Sequence, residues 1–290
     1  ERKQGSGDPI PNDPDKWFVG IGSTDTQTGN GNAWERRTVS YLGRVLYNYQ
    51  GKYLLNASYR RDGSSAFIKG NPWQNFGSIG LGWVLSKEAF MENATLINNL
   101  KLKGSYGLLG NQNTGASYRY PMFPLLVANS SAVFGDNIFP GYEAQYIADP
   151  NLKWETVKAW EAGFDLAAFN NRLNVEAAYY HKLTDNILVE VPGILGTKPG
   201  LANQGSIVNR GLEVSASWKQ PLSEDISLTV GGNLTTLSNN VESLVNEGYQ
   251  IIQNASRTTT GYPIGYFYGY QHDGIFQNDA EVTAGPTNNM

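Results

Sequence analysis

Apolar and polar residues alternate along successive stretches of the chain, and within each stretch the charged side chains share the polar parity. Between Lys101 and Leu108 the apolar series is Leu102, Tyr106 and Leu108, set against Lys101, Lys103 and Ser105. The stretches from Trp160 to Leu166, Leu173 to Tyr179 and Leu212 to Trp218 repeat this, with Glu161, Asp165, Glu176 and Glu213 opposite the apolar series. Successive side chains of a strand point to opposite faces, so each stretch predicts a ribbon with one apolar and one polar side. A soluble sandwich has the same period. The aromatic content separates the two: Tyr41, Tyr47, Tyr49, Tyr53, Tyr59, Trp83, Trp160, Tyr179 and Trp218 lie on the apolar parity and gather toward segment ends. Such a belt is the signature of a strand crossing a membrane interface.

The pattern divides the chain in three. Residues 1–37 are rich in Gly, Asp, Pro, Asn and Thr, carry no period and read as an exposed loop. Residues 38–239 hold the strands. Val39 to Tyr49 and Tyr53 to Arg60 form a hairpin about Gln50-Gly51, then Trp73 to Leu85 reads as a glycine-rich third strand. Ser86 is placed to cap a short helix. Further strands are expected from Leu100, from Trp154 to Ala168, from Arg172 to His181, from Gly211 to Lys219 and from Ser227 to Leu237. Long loops are expected at about residues 110–153 and 184–205, and residues 240–290 read as a loop-rich tail. Short and long connections mostly alternate, as in barrels with short periplasmic turns and long extracellular loops. The outer two regions are accordingly expected to be extracellular loop segments.

Composition narrows the function classes. The chain has 290 residues with 33 glycines and 17 tyrosines, which favours β structure over a helical bundle. Its net charge is −4, its pI near 5.3, and its basic residues are scattered singly, so the electrostatic footprint of a nucleic-acid binder is missing. With no cysteine there is neither a disulfide framework nor a thiolate metal site, and His181 and His272 lack a second ligand at metal spacing. No cofactor is expected. Mean hydropathy is −0.40, and no apolar run approaches the ~18 residues of a membrane helix. Only strands, at about ten alternating residues each, could span a bilayer.

Several strings come in an order that resembles the SusC/RagA-type family of TonB-dependent outer-membrane transporters. They are Ser40 to Arg44, Lys52 to Leu55, Arg60 to Ser65, Leu100 to Asn111, Asp149 to Thr156, Phe169 to Leu173, Asn209 to Glu213 and Gly261 to Asn278. The resemblance covers nearly the whole chain after about residue 38. It implies an all-β fold: an antiparallel transmembrane β-barrel in the bacterial outer membrane, of which this chain supplies roughly eight to ten strands out of about 22. The chain opens without an initiator methionine or apolar leader and ends in a loop, and is expected to be a fragment of the C-terminal half. The resemblance also implies a plug domain and its TonB contact outside this sequence, a SusD-like lipoprotein lid, and import of oligosaccharides or peptides.

Candidate residues fall into three groups. Arg44, Arg60, Lys101, Lys103, Glu161, Asp165, Glu176 and Glu213 are expected to face the lumen, where a polar interior needs charge; an acid and base pair of a glycosidase is the alternative reading of the carboxylates. The nine aromatics of the belt are expected at the lipid interface. Asn111, Gln112, Asn113, Tyr118, Tyr120 and Phe123 suit a sugar, because rings stack on C–H faces and amides bond hydroxyls. The plainer reading, that the same aromatics pack the loop on itself or on a lid, outweighs it. The glycines of Gly77-Ser78-Ile79-Gly80-Leu81-Gly82 lie in a β-alternating run and not between a strand and a helix, so they do not make a phosphate loop. The reading is a non-enzymatic importer. Its rivals are a passive porin and a secreted, soluble carbohydrate-binding β-sandwich.

Overall fold

The computed structural model describes residues 2–6, 28–32, 35–67, 71–115, 118, 120–124, 126–193, 198–271 and 274–285. Strands β1 (Arg2–Ser6) and β2 (Thr28–Asn32) pair with each other. The main sheet begins with β3 (Thr38–Tyr49), β4 (Tyr53–Ser64), β5 (Trp73–Val84) and β6 (Ile97–Asn111). A separate hairpin follows, β7 (Leu126–Phe134) with β8 (Asn137–Ala144). The sheet resumes with β9 (Glu155–Ala168), β10 (Leu173–Val191), β11 (Gly200–Pro221), β12 (Ser227–Thr235) and β13 (Ser238–Ser243). Strands β14 (Ile251–Gln253), β15 (Ser256–Thr258) and β16 (Tyr266–Phe267) form a small sheet before helix α1 (Asp279–Ala284).

Every pairing in the main sheet is antiparallel, in the order β12-β11-β10-β9-β6-β5-β4-β3, with β13 continuing the edge along β11. Among the described residues the two edges do not meet, so the sheet is an open part of a barrel wall. Local chemistry sets the register. Gln50 and Gly51 both take left-handed backbone (φ 54° and 65°), the two-residue turn whose twist suits a hairpin, and the Asn48 side chain accepts from the Gly51 N–H at 2.8 Å. At the β9–β10 turn Phe169, Asn170 and Asn171 are all left-handed. Such backbone costs a non-glycine residue about 1–2 kcal/mol. The Phe169 N–H donates to the Leu96 carbonyl at 2.8 Å, and its ring lies 5.9 Å from Trp218, contacts that offset the strain.

The short turns β3–β4, β9–β10 and β11–β12 lie at one end of the sheet, together with the longer β5–β6 link over residues 85–96, and the connections at 65–72, 112–154 and 192–199 lie at the other. The apolar face is solvent-accessible along its length, with Leu81 at 59% and Val230 at 61% exposure. Most of the burial lies at the long-connection end. There Ala66, Phe67, Phe76, Met122, Leu152, Trp154 and Leu201 form one cluster, with Phe67 and Leu152 fully buried.

The structure corrects several sequence expectations. Residues 1–37 hold the β1–β2 pair, which lacks alternation because it is built from glycine and polar residues. The stretch at 110–153 contains the β7–β8 hairpin, joined by Gly135 in left-handed conformation. The loop expected at 184–205 shrinks to 192–199, because β10 and β11 stay paired past a bulge near Ile187 that breaks the alternation. Ser86 caps nothing: it sits inside a 3-10 turn (Leu85–Lys87) and its hydroxyl donates to Asn99. The tail contains β13 to β16 and α1, whose first turn is capped by Asn278 accepting from the Glu281 N–H at 3.0 Å. His272 lies outside the described residues.

Candidate functional site

The polar face of the wall is cross-linked by charge. Register places Lys101 opposite Asp165, and Asp165 opposite Glu176, so one row crosses β6, β9 and β10. Lys101 Nζ lies 3.2 Å from Asp165 Oδ2, Lys103 Nζ lies 2.8 Å from Asp165 Oδ1, and Lys103 also pairs with Glu176. These groups are a quarter to a half hydrated or more, so the network links strands at modest energy, about 1 kcal/mol or less per pair. Glu161 stands opposite Ser105 and Tyr180, and Glu213 opposite Ala178 and Thr235, on the same face. Arg44 Nε donates to Asn56 Oδ1 at 3.0 Å. Arg60 Nε donates to Asp62 Oδ1 at 2.6 Å and its terminal nitrogen to Ser40 at 3.3 Å. The face is not uniformly polar: Leu42 and Leu46 stand on it too, both largely exposed.

Where this row reaches β11 and β12, a groove on the polar face is lined by Asn99, Asp165, Asn174, Glu176, Ser215, Ser217 and Asn233. Its amides and hydroxyls offer donors and acceptors together.

The loop candidates are drawn into contacts of their own. Asn111 Nδ2 donates to Glu155 at 2.5 Å, Asn113 Oδ1 accepts from the Gly115 N–H at 3.1 Å, and Arg36 donates to the Gln112 carbonyl at 3.1 Å. The Tyr118 hydroxyl donates to the Pro199 carbonyl at 2.8 Å while its ring meets Tyr146 edge-on at 5.2 Å. Tyr146 in turn donates to the Phe123 carbonyl at 2.9 Å, and the Phe123 N–H donates to the Tyr120 carbonyl at 3.0 Å. Burial pushes both the Tyr118 and Tyr146 phenols above their ordinary range; Glu190 adds to the shift at Tyr118. Asn111 ends β6 and the other five candidates follow in the connection after it; among the six, Tyr118 packs against the buried cluster around Trp154.

The aromatics of the apolar face form rows. Tyr47, Tyr49, Tyr53 and Trp83 stack in sequence at 6.4–6.5 Å, and Tyr41 stacks on Trp73 at 6.1 Å. Tyr59 runs between Gly43 and Gly77, and Trp160 contacts Tyr179 at 5.4 Å. At the short-turn end one carboxylate ties the row down. Glu88 accepts from Trp83 Nε1 at 3.0 Å, the Tyr53 hydroxyl at 2.8 Å and Lys52 Nζ at 3.3 Å. The hydrogen bonds from Trp83 and Tyr53, with Lys52, hold its carboxyl below the usual carboxylate range. Alternation did not single out Glu88, which lies between strands; its spacing of five residues from Trp83 was the available signal.

The comparisons with known proteins agree with this architecture. The family model for TonB dependent receptor-like β-barrels matches residues 4–288. TonB-dependent receptor P39 of Formosa agariphila is 34% identical over 276 residues, covering 92% of this chain and 25% of that protein. TonB-dependent receptor SusC of Bacteroides thetaiotaomicron is 32% identical over 252 residues, covering 80% and 25%. Among solved structures, the RagAB peptide importer in its open-open state superposes with a TM-score of 0.73 at 24% identity, over 86% of this chain and 27% of that one. The chain spans about a quarter of the length of the curated relatives it matches. With an open antiparallel wall, one face cross-linked by charge and the other banded by aromatics, the chain belongs to the TonB-dependent receptor-like β-barrel family of the bacterial outer membrane, in its SusC/RagA-type branch.

Proposed function

We propose that the protein of which this chain forms part is a TonB-dependent importer of oligosaccharides that works with a SusD-like lipoprotein lid. The observation that carries the reading is the division of the wall. Arg44, Arg60, Lys101, Lys103, Glu161, Asp165, Glu176 and Glu213 share the polar face, which we assign to the lumen, and the aromatic rows share the other, which we assign to lipid. The short-turn end is then periplasmic, and the long connections, including residues 1–37 and 240–290, are extracellular. Energy would come through a plug domain and TonB. No catalytic role is assigned to the lumenal carboxylates: Asp165 and Glu176 are held by Lys101 and Lys103 and serve the wall.

In the groove around Asn174, Ser215 and Asn233 the carboxylates of Asp165 and Glu176 are held by Lys101 and Lys103, and the amides and hydroxyls beside them support a polyhydroxylated substrate. In this reading Tyr118 and Tyr146 hold the extracellular loop in shape, and Asn111, Gln112, Asn113, Tyr120 and Phe123 border the path. The test is uptake of labelled oligosaccharides by cells carrying the full-length gene. Uptake abolished by dissipating the inner-membrane proton gradient is the expected result. Uptake that survives would mean a passive porin, and accumulation of peptides instead of sugars would overturn the substrate.

A further inference from the structure

The apolar face changes character along its length. Toward the short turns its positions on β3 to β6 and β9 to β12 are Tyr, Trp, Leu, Ile, Val, Phe, Ala, Gly and Gln, and among the described residues none is charged. Toward the long connections the same face carries Arg61, Lys158, Asp185, Arg210 and Glu242. Most of these have partners. Lys158 pairs with Asp185 at 3.0 Å, the Arg61 guanidinium lies 5.2 Å from the centre of the Trp73 ring, and Glu242 accepts from Asn240 at 2.9 Å. Arg210 has neither an ion pair nor a side-chain hydrogen bond among the described residues.

Register puts His181 opposite Arg210 on one side and Ser238 opposite it on the other. Together with Ser206 and Asn240 they line a groove of about 550 Å³ that runs over Leu183 and Val208 between β10, β11 and β13. Its lower end touches the aromatic belt, because His181 stacks on Trp160 at 5.7 Å with an interplanar angle of 11°. The carboxylates of Asp185 and Glu242 line its other end. Each is four strand positions from the row of Arg210, about 13 Å at ~3.3 Å per residue. That exceeds the ~8–10 Å over which exposed charges act in salt. Cation and anions are therefore sorted along the groove, with the cation nearest the hydrocarbon.

We infer that this groove binds the phosphorylated, hydroxyl-rich headgroup of an outer-leaflet glycolipid. Arg210 takes the phosphate through its planar fork of donors. His181, Ser206, Ser238 and Asn240 bond the sugar hydroxyls above it, and Leu183 and Val208 meet carbon along the floor. The inference rests on the assignment of the long-connection end to the outside. It accounts for a partnerless guanidinium on a lipid-facing parity, which is tolerable only near the interface, where its cost falls from ~2–4 to about 0–1 kcal/mol.

The experiment uses the full-length transporter in detergent and native mass spectrometry. The probes are an acylated glucosamine disaccharide carrying phosphates, the same lipid after enzymatic dephosphorylation, and inorganic phosphate. Wild type should retain the phosphorylated lipid over the dephosphorylated one by about tenfold or more, a preference lost in Arg210→Gln and kept in Lys219→Gln on the polar face. Should Arg210→Gln fail to assemble, His181→Leu carries the same expectation of weakened retention. Equal retention by the groove variants and wild type overturns the inference, as does displacement of the lipid by equimolar inorganic phosphate, which would mark a simple anion site. Heat-modifiable gel mobility and uptake are followed in parallel. Long connections that resist protease added to intact cells while the short-turn end is cut would strike the orientation itself, separately from the groove.

Discussion

The two ends of the wall are built differently. At the short-turn end three of the four connections are turns of a few residues, and the fourth, over residues 85–96, carries Glu88, the one carboxylate to which the rings of Tyr53 and Trp83 are tied, with few buried hydrophobics besides Val84 and Ala168. At the long-connection end Phe67, Phe76, Met122, Leu152, Trp154 and Leu201, drawn from distant parts of the chain, close into a buried cluster. The difference follows from solvent. Loops standing in water must bury their apolar groups to be ordered at all. A wall standing in lipid can leave Leu81 and Val230 exposed, because every backbone group is satisfied by its neighbour strand and the hydrocarbon receives the side chains. Stability at one end therefore comes from packing, and along the wall from register.

The largest effect should come from the packed end. Trp154→Ala removes a ring stacked on Phe67 at 5.7 Å and edge-on to Phe76 at 5.9 Å, a loss of about 3–5 kcal/mol. Limited proteolysis should then cut residues 112–153 readily while heat-modifiable mobility shows the barrel intact. Loss of the whole barrel would mean that the two ends are not independent. Next in size is a pair of neighbours. Ala177 stands on the apolar face between Phe164 and Val214, and Ala178 on the polar face beside Glu213. Ala177→Arg should cost up to ~2–4 kcal/mol and impair outer-membrane assembly, and Ala178→Arg should assemble. Equal assembly of the two would erase the distinction between faces.

A smaller effect is expected at the short-turn rim. The Glu88 carboxyl is depressed in the folded state, so its contribution is fully present above the ordinary carboxylate value of ~4.3 and is lost as pH falls through the lower folded value. Glu88→Gln should lower the melting temperature at neutral pH, and the gap from wild type should close on acidification below that range. A gap independent of pH would assign the effect to shape and not to charge. The smallest is Asp165→Asn, which weakens two partly hydrated pairs, each worth about 1 kcal/mol or less, while Lys103 keeps Glu176. Raised salt should shrink the difference between Asp165→Asn and wild type, and a salt-independent loss would point to packing.

The wall was legible in the sequence because its period is simple. Leu102 and Tyr106 against Lys101 and Lys103, or Leu212 and Val214 against Glu213, announce faces that the register then reproduces strand by strand. The strings after residue 38 added the family. Features that depend on contacts between distant residues were not legible. Phe67, Met122 and Leu152 carry no period, and only folding shows that they meet Trp154. The β10–β11 extension was hidden by its bulge at Ile187, and the β7–β8 hairpin by Asn, Ser and Pro within its strands. At the loop candidates, residue type suggested sugar contacts, but partners such as Pro199 and Tyr146 could not be named from sequence. The groove at Arg210 was likewise invisible, since its walls come from three strands.

The central claim is that a single strand separates lipid from an aqueous lumen. It is tested most directly by placing single cysteines at successive positions from Leu212 to Trp218 in the full-length transporter and labelling intact outer membranes with a charged, water-soluble maleimide. The chain contains no cysteine of its own to confuse the readout within this region. Labelling should alternate, strong at 213, 215 and 217 and weak at 212, 214, 216 and 218, with a lipid-dissolved quencher reporting the opposite phase. Uniform labelling along the strand, or alternation in the reverse phase, would contradict the assignment of the two faces.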